Sequence, residues 1–347
     1  MRNDIASPTA QPIHWIRTLI LVEEAAAMGV PLSTALRGTR ITPEQLGEPG
    51  VTITVIDQMR IIINVARALP DQPIGLNWGR LLDIHSFQTF GLWVCAHATL
   101  GELLDAVLRY QVMLNAVVVG RGSFVGPHYR LELHYPPAAR PDASLVRINS
   151  ESMWTSFLQI FRQLVSEPLD PQAVYFSHPA PPYERDYADI FRCPVHFDAP
   201  TTTLVFKRED MDRALMSHHP VLKRVHDRFI KREYEQYIQQ HSLSALVRSH
   251  LINLPEQTPT SAPIARSLGI SERTLRRRLE QEGTSFRQLQ QDTLLGSARN
   301  LLALGLTVET TAQRLGYADA SSFRRALKRI CGITPSDLRA ESPSAKQ

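Results

Sequence analysis

Residues 271–280 read SERTLRRRLE, with four arginines in ten positions, three of them consecutive, between leucines four apart. At about 100° per residue, Leu275 and Leu279 fall on one side of a helix. Arg273 and Arg277 then point nearly opposite, with Arg276 and Arg278 on the two flanks. A helix with a solvated basic back satisfies this pattern, and so does a surface built to lie against a polyanion. The flanking residues separate the two. Immediately upstream, APIARSLGI (262–270) sets Ile264, Ala265 and Leu268 on an apolar helix face. Gly269 suits the positive φ of a tight turn, Ile270 plugs the corner and Ser271 is a good N-cap. The plan is helix, short turn, second helix. A helix presented in this way fits the B-DNA major groove, where arginine pairs with guanine O6 and N7 or holds phosphate.

The plan occurs twice. In TVETTAQRLGYADASSFRRALKRICGITP (307–335), Thr311, Ala312 and Leu315 form a first helix face, with Gly316 at the turn and Tyr317 as plug. A second helix from about Ala320 has Phe323, Leu327 and Ile330 inward and Arg324, Arg325 and Lys328 on other faces. Between the two units, SFRQLQQDTLLGSARNLLALG (285–305) predicts a capped amphipathic helix from about Phe286 to Ala303, about 27 Å long at 1.5 Å per residue. Such a rod suits two reading heads about one DNA turn, roughly 34 Å, apart on one face of a duplex.

At this point the sequence resembles the AraC/XylS family of transcriptional regulators over about residues 238–340. LGYADASSFRRALKRICGITPSDLR (315–339) is similar to the family signature, with Gly316, Asp319, Ser322, Phe323, Arg325, Lys328, Gly332, Pro335 and Arg339 in place. The resemblance implies base-reading positions at Arg273, Arg276 and Arg277 in the first unit. In the second it implies Ala320, Ser321 and Arg324, with Arg325 close by. Lys328 is expected to meet phosphate, and Arg278, on the flank, either phosphate or a neighbouring helix. Two positions depart from the pattern: Leu294 stands where many members have Arg, and Leu327 where Phe is common. Ala320 offers only a methyl group, so the second unit is expected to rely more on phosphate.

Composition agrees with a polyanion partner at this end of the chain. Of 347 residues with a formal charge of +4, those from Ser261 onward hold 14 Lys and Arg against 8 Asp and Glu, a net +6. The remainder therefore carries −2. Segregated positive charge points to a polyanion there, and the paired helix-turn-helix plan makes double-stranded DNA the expected partner. Cys95, Cys193 and Cys331 are far apart and lack CxxC spacing, so neither a disulfide framework nor a cysteine zinc site is suggested. The N-terminus lacks the pattern of a secretory signal, and no apolar run reaches the roughly 18 residues of a membrane span. A cytoplasmic protein with no membrane association is expected.

Ahead of this region the periodicity is mixed. Residues from about 13 to 115 read as mostly helical, with Thr99 capping a helix on which Leu103, Val107 and Leu108 face one way. NAVVVGRGSFVG and HYRLELHYPP predict a strand pair, a helix follows from about Asp142 to Ser166, and QAVYFSHPAPP and PVHFDAPTTTLVFKRED predict further strands. The fold class is thus an α+β N-terminal sensor domain joined to an all-α C-terminal domain with two helix-turn-helix motifs. The expected boundaries are 1–210 for an effector-binding and dimerisation domain, 211–237 for a helical connector, 238–340 for the DNA-binding domain and 341–347 for a disordered tail. FQTFGLWVCAHATLGELLDAVLRY (87–110) and YFSHPAPPYERDYADIFRCPVHFDAPTTTLVF (175–206) resemble the arabinose-binding-type N-terminal domain of such regulators, as found in an ornithine-utilisation regulator.

Phe90, Trp93, His97, Tyr110, Trp154 and Tyr175 are candidates to line an effector pocket, since such pockets are mostly apolar with a few polar groups. Arg109 is a candidate for a ligand carboxylate. Each has an ordinary alternative as a core aromatic, a satisfied histidine or a surface ion pair. Sharper motifs fail. GRGSFVG (120–126) opens no helix and reads as a hairpin turn rather than a dinucleotide fingerprint. His218 and His219 lack a companion ligand, and the prolines around His178, Glu184 and Asp186 argue for a rigid connection rather than a metal site. No nucleophile elbow is present, and no cofactor is implied. The expected function is a ligand-responsive transcriptional regulator, for which the family resemblance implies activation, working as a homodimer with RNA polymerase as partner and an unknown small-molecule effector. A constitutive regulator whose N-terminal domain only dimerises, or an enzyme carrying a DNA-targeting domain, are the alternatives.

Overall fold

The computed structural model describes residues 12–13, 15–46, 48, 53–113, 118–134, 143–240, 242–253, 260–268, 270–303, 307–315 and 317–340. The expected tail at 341–347 and the turn glycines Gly269 and Gly316 lie outside the described residues. The chain forms two compact units, one from Thr9–His134 and Pro141–Gln236, the other built on Tyr237–Gln347.

The first unit is α+β. A short strand β1 (Pro12–Ile13) pairs antiparallel with β2 (Ile53–Thr54), and between and beyond them lie α1 (Trp15–Ala27), α2 (Leu32–Ala35), α3 (Val55–Ala68) and α4 (Ile74–Leu81). Thr54 begins α3 with a reciprocal capping box to Asp57. A 3-10 turn at Ile84–Phe87 leads to α5 (Gln88–Cys95) and α6 (Leu100–Tyr110), and the Thr99 side chain caps α6 through the Glu102 N–H, as the sequence predicts. Strands β3 (Val119–Val125) and β4 (His128–His134), the long helix α7 (Ala143–Leu164), β5 (Ala173–Tyr175), α8 (Arg185–Phe191), β6 (Val195–His196), β7 (Thr202–Lys207) and α9 (Pro220–Gln240) complete the elements. The sheet order is β3-β4-β7-β5-β6, with only the β5–β6 pair parallel.

Helix α7 is the spine of this unit. Leu145, Ile148, Trp154 and Leu158 are fully buried along it. Leu145 and Ile148 join Leu21, Ile61, Val65 and Trp78 from α1, α3 and α4 in one core. Gly79 lets α4 lie close on α7, since a Cβ there would stand 2.6 Å from the Thr155 Cβ. On β4 burial alternates, turning Tyr129, Leu131 and Leu133 inward, the signature of a strand with one covered face.

Three sequence expectations change. GRGSFVG is not itself the hairpin turn: residues 120–125 belong to β3, and the chain reverses at Gly126 and Pro127, where Val125 pairs with His128. Gly122 is required by packing, because a Cβ would overlap the Tyr129 hydroxyl. Directly after the prolines that read as a rigid connection comes a helix, α8, which buries Tyr187, Ile190 and Phe191. The stretch expected to be a connector, 211–237, lies within the first unit as far as Gln236, with Leu215 bridging to Val165 and Tyr234 buried.

The regular elements described in the second unit are all helices: α10 (Leu243–Asn253), α11 (Ser261–Ser267), α12 (Glu272–Gln281), α13 (Phe286–Ala303), α14 (Val308–Arg314), α15 (Ala320–Cys331) and α16 (Pro335–Ala340). Ser261 to Pro263 form the first turn of α11. Among the described residues no helix is long and apolar enough to cross a membrane.

Candidate functional site

In α12 the capping residue and the apolar spacing act as the sequence predicts. The Ser271 hydroxyl accepts from the Thr274 N–H at 3.1 Å, and Leu275 and Leu279 are buried against α11, where Ile264, Ala265 and Leu268 are buried too. The Ile270 N–H bonds the Ala265 carbonyl at 3.0 Å, closing the corner. With its leucines inward, α12 leaves Arg273, Arg276 and Arg277 exposed, whereas Arg278 is half-buried and partnered. Arg276 is 83% exposed and pairs with Glu280 at 2.9 Å, a surface ion pair of little net worth that a phosphate or base can displace.

Helix α15 repeats the arrangement. Asp319 caps it through the Ser322 N–H at 2.6 Å, Phe323 and Leu327 are fully buried, and Tyr317 packs on Phe323 at 5.4 Å between centroids. That cap and its donors hold the Asp319 carboxyl below the usual carboxylate range. Ser321, Arg324, Arg325 and Lys328 are exposed and Ala320 half-buried at the start of the helix. Arg324 lies 3.5 Å from Glu309, the Arg325 guanidinium donates to the Ser322 hydroxyl, and the Lys328 ammonium donates to the Gly332 carbonyl at 3.0 Å. Leu294, on α13, packs against the Phe323–Leu327 core, and Leu327 fills its place there without the larger ring. Helix α13 has the bounds Phe286–Ala303 predicted for it.

The aromatic residues selected as effector candidates separate in the first unit. Phe90, Trp93, His97 and Tyr110 form an edge-to-face chain with centroids 5.0–5.2 Å apart that ends on Tyr234 of α9. The Trp93 indole donates to Asp227 at 2.8 Å, which in turn accepts from Lys223. Burial opposes the Asp227 charge, but these donors hold its carboxyl below the ordinary range. Burial lowers the pKa of His97, whose Nδ1 donates toward the Trp93 and Val94 carbonyls. This chain therefore joins α5 and α6 to α9. Trp154 is fully buried on α7, Tyr175 stacks on His196 at the sheet edge, and Arg109 is exposed at the end of α6. Of the seven, Phe90 alone lines one of the two clefts described next.

Those clefts adjoin between α5, α6 and α7 and share Phe87, Val107 and Phe157. The smaller, of about 390 Å³, is apolar and includes Phe90 and Phe161. The larger, of about 540 Å³ and open in part to solvent, contains Leu104, Leu108, Gln111, Met153 and a cation outside the candidate set, Arg17. Arg17 is only 6% exposed, with its guanidinium 5.8 Å from the Trp78 ring centre and 5.3 Å from that of Phe87. Burial brings its pKa down to about 10, so it remains a cation at neutral pH. The available signal was helical register: Arg17 precedes Leu21 and Ala25 by one and two turns, on the stripe that a buried helix face occupies.

Among the described residues, no three His, Cys, Asp or Glu side chains cluster as a metal site would. His178 is buried among Phe176, Tyr187 and Phe197, and the His219 ring accepts from the Leu222 N–H at the start of α9.

The comparisons agree with this geometry. A family model described as the arabinose-binding domain of AraC transcription regulators, N-terminal, matches residues 29–215, and a helix-turn-helix domain model matches 264–341. The chain is 28% identical over 342 residues to the ornithine utilization regulator of Pseudomonas aeruginosa, covering 96% of this chain and 99% of that protein. It is 35% identical over 96 residues to the urease operon transcriptional activator of Escherichia coli, covering 27% of this chain and 32% of that one. Among solved structures, the transcriptional regulator CdpR from Pseudomonas aeruginosa is similar at 22% identity and a TM-score of 0.44, covering 92% of this chain and 96% of that chain. With a basic helix-turn-helix pair in one unit and the arabinose-binding-type fold in the other, the chain belongs to the AraC family of helix-turn-helix transcription regulators.

Proposed function

We propose that this regulator is a ligand-responsive activator that reads two successive major-groove segments of double-stranded DNA, one with α12 and one with α15, as a homodimer. The observation that carries this reading is the common plan of the two helices. Each buries one apolar face and turns arginines outward, Arg273, Arg276 and Arg277 on α12 and Arg324 and Arg325 on α15. The 18 residues of α13 between the units give a spacer of about 27 Å, commensurate with one duplex turn. Ala320 and Ser321, in the first turn of α15, occupy the end of a recognition helix that meets base edges. Half-buried Arg278 and the helix-terminal Lys328 are better suited to phosphate than to bases.

An effector acts only through unequal affinity for two states of the regulator, since equal affinity shifts nothing. The family fold of the first unit and its apolar clefts support such a ligand. Activation through RNA polymerase is supported by the relative named as an activator. For dimerisation the support is an exposed apolar stripe on α9, formed by Val221, Val225 and Phe229 with Leu222 beside it.

Selection of a binding site from random duplexes, followed by footprinting, tests the bipartite reading. Protection of two segments one turn apart is expected, and inserting five base pairs between them should abolish specific binding. Binding that survives the insertion refutes two-headed reading. Transcription with purified RNA polymerase tests activation: fewer or unchanged transcripts from the selected site refute it.

A further inference from the structure

Among the described residues, the larger cleft has one charged group and no partner for it. The Nε of Arg17 is buried without a hydrogen bond, and among the described residues no ion pair or hydrogen bond is made by its guanidinium. An unpaired cation in an apolar wall is costly, and the two flanking rings offset only part of that cost. The rest of the wall supplies no acid: Phe87, Leu104, Val107, Leu108, Met153 and Phe157 are apolar. The other polar side chain, Gln111, is already engaged, donating to the Leu108 and Gly120 carbonyls and accepting the Gly120 N–H at 2.6 Å.

We infer that Arg17 is the anchor for the carboxylate of a small monocarboxylic acid whose apolar chain or ring fills this cleft. The inference rests on the reading of the protein as ligand-responsive and names the class of ligand. A carboxylate matches the guanidinium fork in geometry and in charge, one for one. A phosphate dianion would leave a negative charge unpaired in an apolar wall. A sugar would strand several hydroxyls there, and an amino acid would strand its ammonium, because no lining side chain described is acidic.

The test uses the full chain, straight-chain acids from acetate to decanoate with benzoate and phenylacetate, and octanamide as a neutral isostere. Binding is followed by calorimetry and by thermal shift. At least one acid of six or more carbons should bind and raise Tm, and octanamide should bind at least tenfold more weakly than octanoate. Arg17→Met should weaken the acid at least tenfold while leaving the Tm of the free protein unchanged or higher, because it removes an unpaired buried charge. Met153→Trp fills the cleft and keeps Arg17, so it should also weaken the acid tenfold, and it decides the matter if Arg17→Met does not fold. Failure of every acid to bind, equal binding of amide and acid, or undiminished binding to either folded variant overturns the inference. DNA affinity with and without the acid separates this inference from the broader reading. Binding that needs Arg17 but leaves DNA affinity unchanged supports the site and counts against ligand response through it. An effect of the acids on DNA affinity that survives Arg17→Met keeps ligand response and overturns the site.

Discussion

Glu282 Oε1 accepts the backbone N–H of Leu243 at 2.6 Å, and its second oxygen accepts the Ser244 N–H at 2.8 Å, so the residue just past α12 caps the first turn of α10. The Ser242 hydroxyl adds a third donor at 2.8 Å. The orientation of α12 is thereby tied to a helix forty residues earlier by one carboxylate, rather than by its own turn alone.

Replacing Glu282 by Ala should therefore cost about 1 kcal/mol, the usual worth of a helix cap, in denaturation of the full chain at pH 7. Burial opposes the Glu282 charge, but its donors hold the carboxyl below its ordinary 4.5. The stabilisation is thus present above pH 4.5 and is lost as pH falls through the lowered value. Glu282→Gln should narrow the stability difference between pH 7 and pH 4. A variant as stable as the parent at pH 7 removes the cap from the account.

On the proposed reading, the exposed arginines of α12 meet base edges. Arg273→Ala or Arg277→Ala should cost roughly 1–3 kcal/mol on the selected site and relax one base position. Binding to the specific site and to random duplex, measured side by side, decides the role. Equal losses on both mean phosphate contact without reading.

How much of this was legible in the sequence depended on whether a residue's role was local. Ser271, Thr99 and Asp319 cap helices through N–H groups three residues ahead, so the sequence alone locates those starts. The leucine and phenylalanine spacing of α12 and α15 likewise maps directly onto burial. Gly122 misled because its reason is the Tyr129 hydroxyl on the neighbouring strand, seven residues away along the chain and across the hairpin. Helix α8 was hidden because it is short and follows prolines, and it is held by Tyr187 and Phe191 packing on Phe176. In the first unit Trp93 and Tyr110, candidates to line an effector pocket, serve α9 instead. The charged group of the larger cleft is Arg17, whose isolation among the described residues is a property of the fold alone.

Helix α9 has one face committed and one open. Asp227 and Tyr234 engage Trp93 and Tyr110, while Val225 and Phe229, 55% and 45% exposed, stand on the other side. If that stripe is the self-complementary patch of a two-fold dimer, Val225→Asp should yield a monomer in sedimentation or light scattering at concentrations where the parent is dimeric. It should also lower affinity for a two-copy operator. A parent that is monomeric, or a variant that remains dimeric, rules the stripe out as the interface.

Glu151 on α7 gives a pH signature to the first unit. It is fully buried, accepts the Tyr183 hydroxyl at 2.9 Å and the Tyr187 hydroxyl on the same oxygen, and its other oxygen has no partner and faces Gly75. Burial pushes its pKa up to about 7, against the opposing pull of both tyrosines and of Arg147. The folded state then holds a proton that the unfolded state has released between about pH 4.5 and 7. Stability from this group is therefore full below pH 4.5, falls as pH rises through that window and stays low above it. A shift of this size corresponds to on the order of 3 kcal/mol. Glu151→Gln, which keeps the acceptor and removes the titration, should be the more stable protein at pH 8 by up to that amount and should equal the parent near pH 5. Urea denaturation of both proteins at pH 5, 6, 7 and 8 measures the difference, and a gap that does not widen with pH means that Glu151 does not take up a proton on folding.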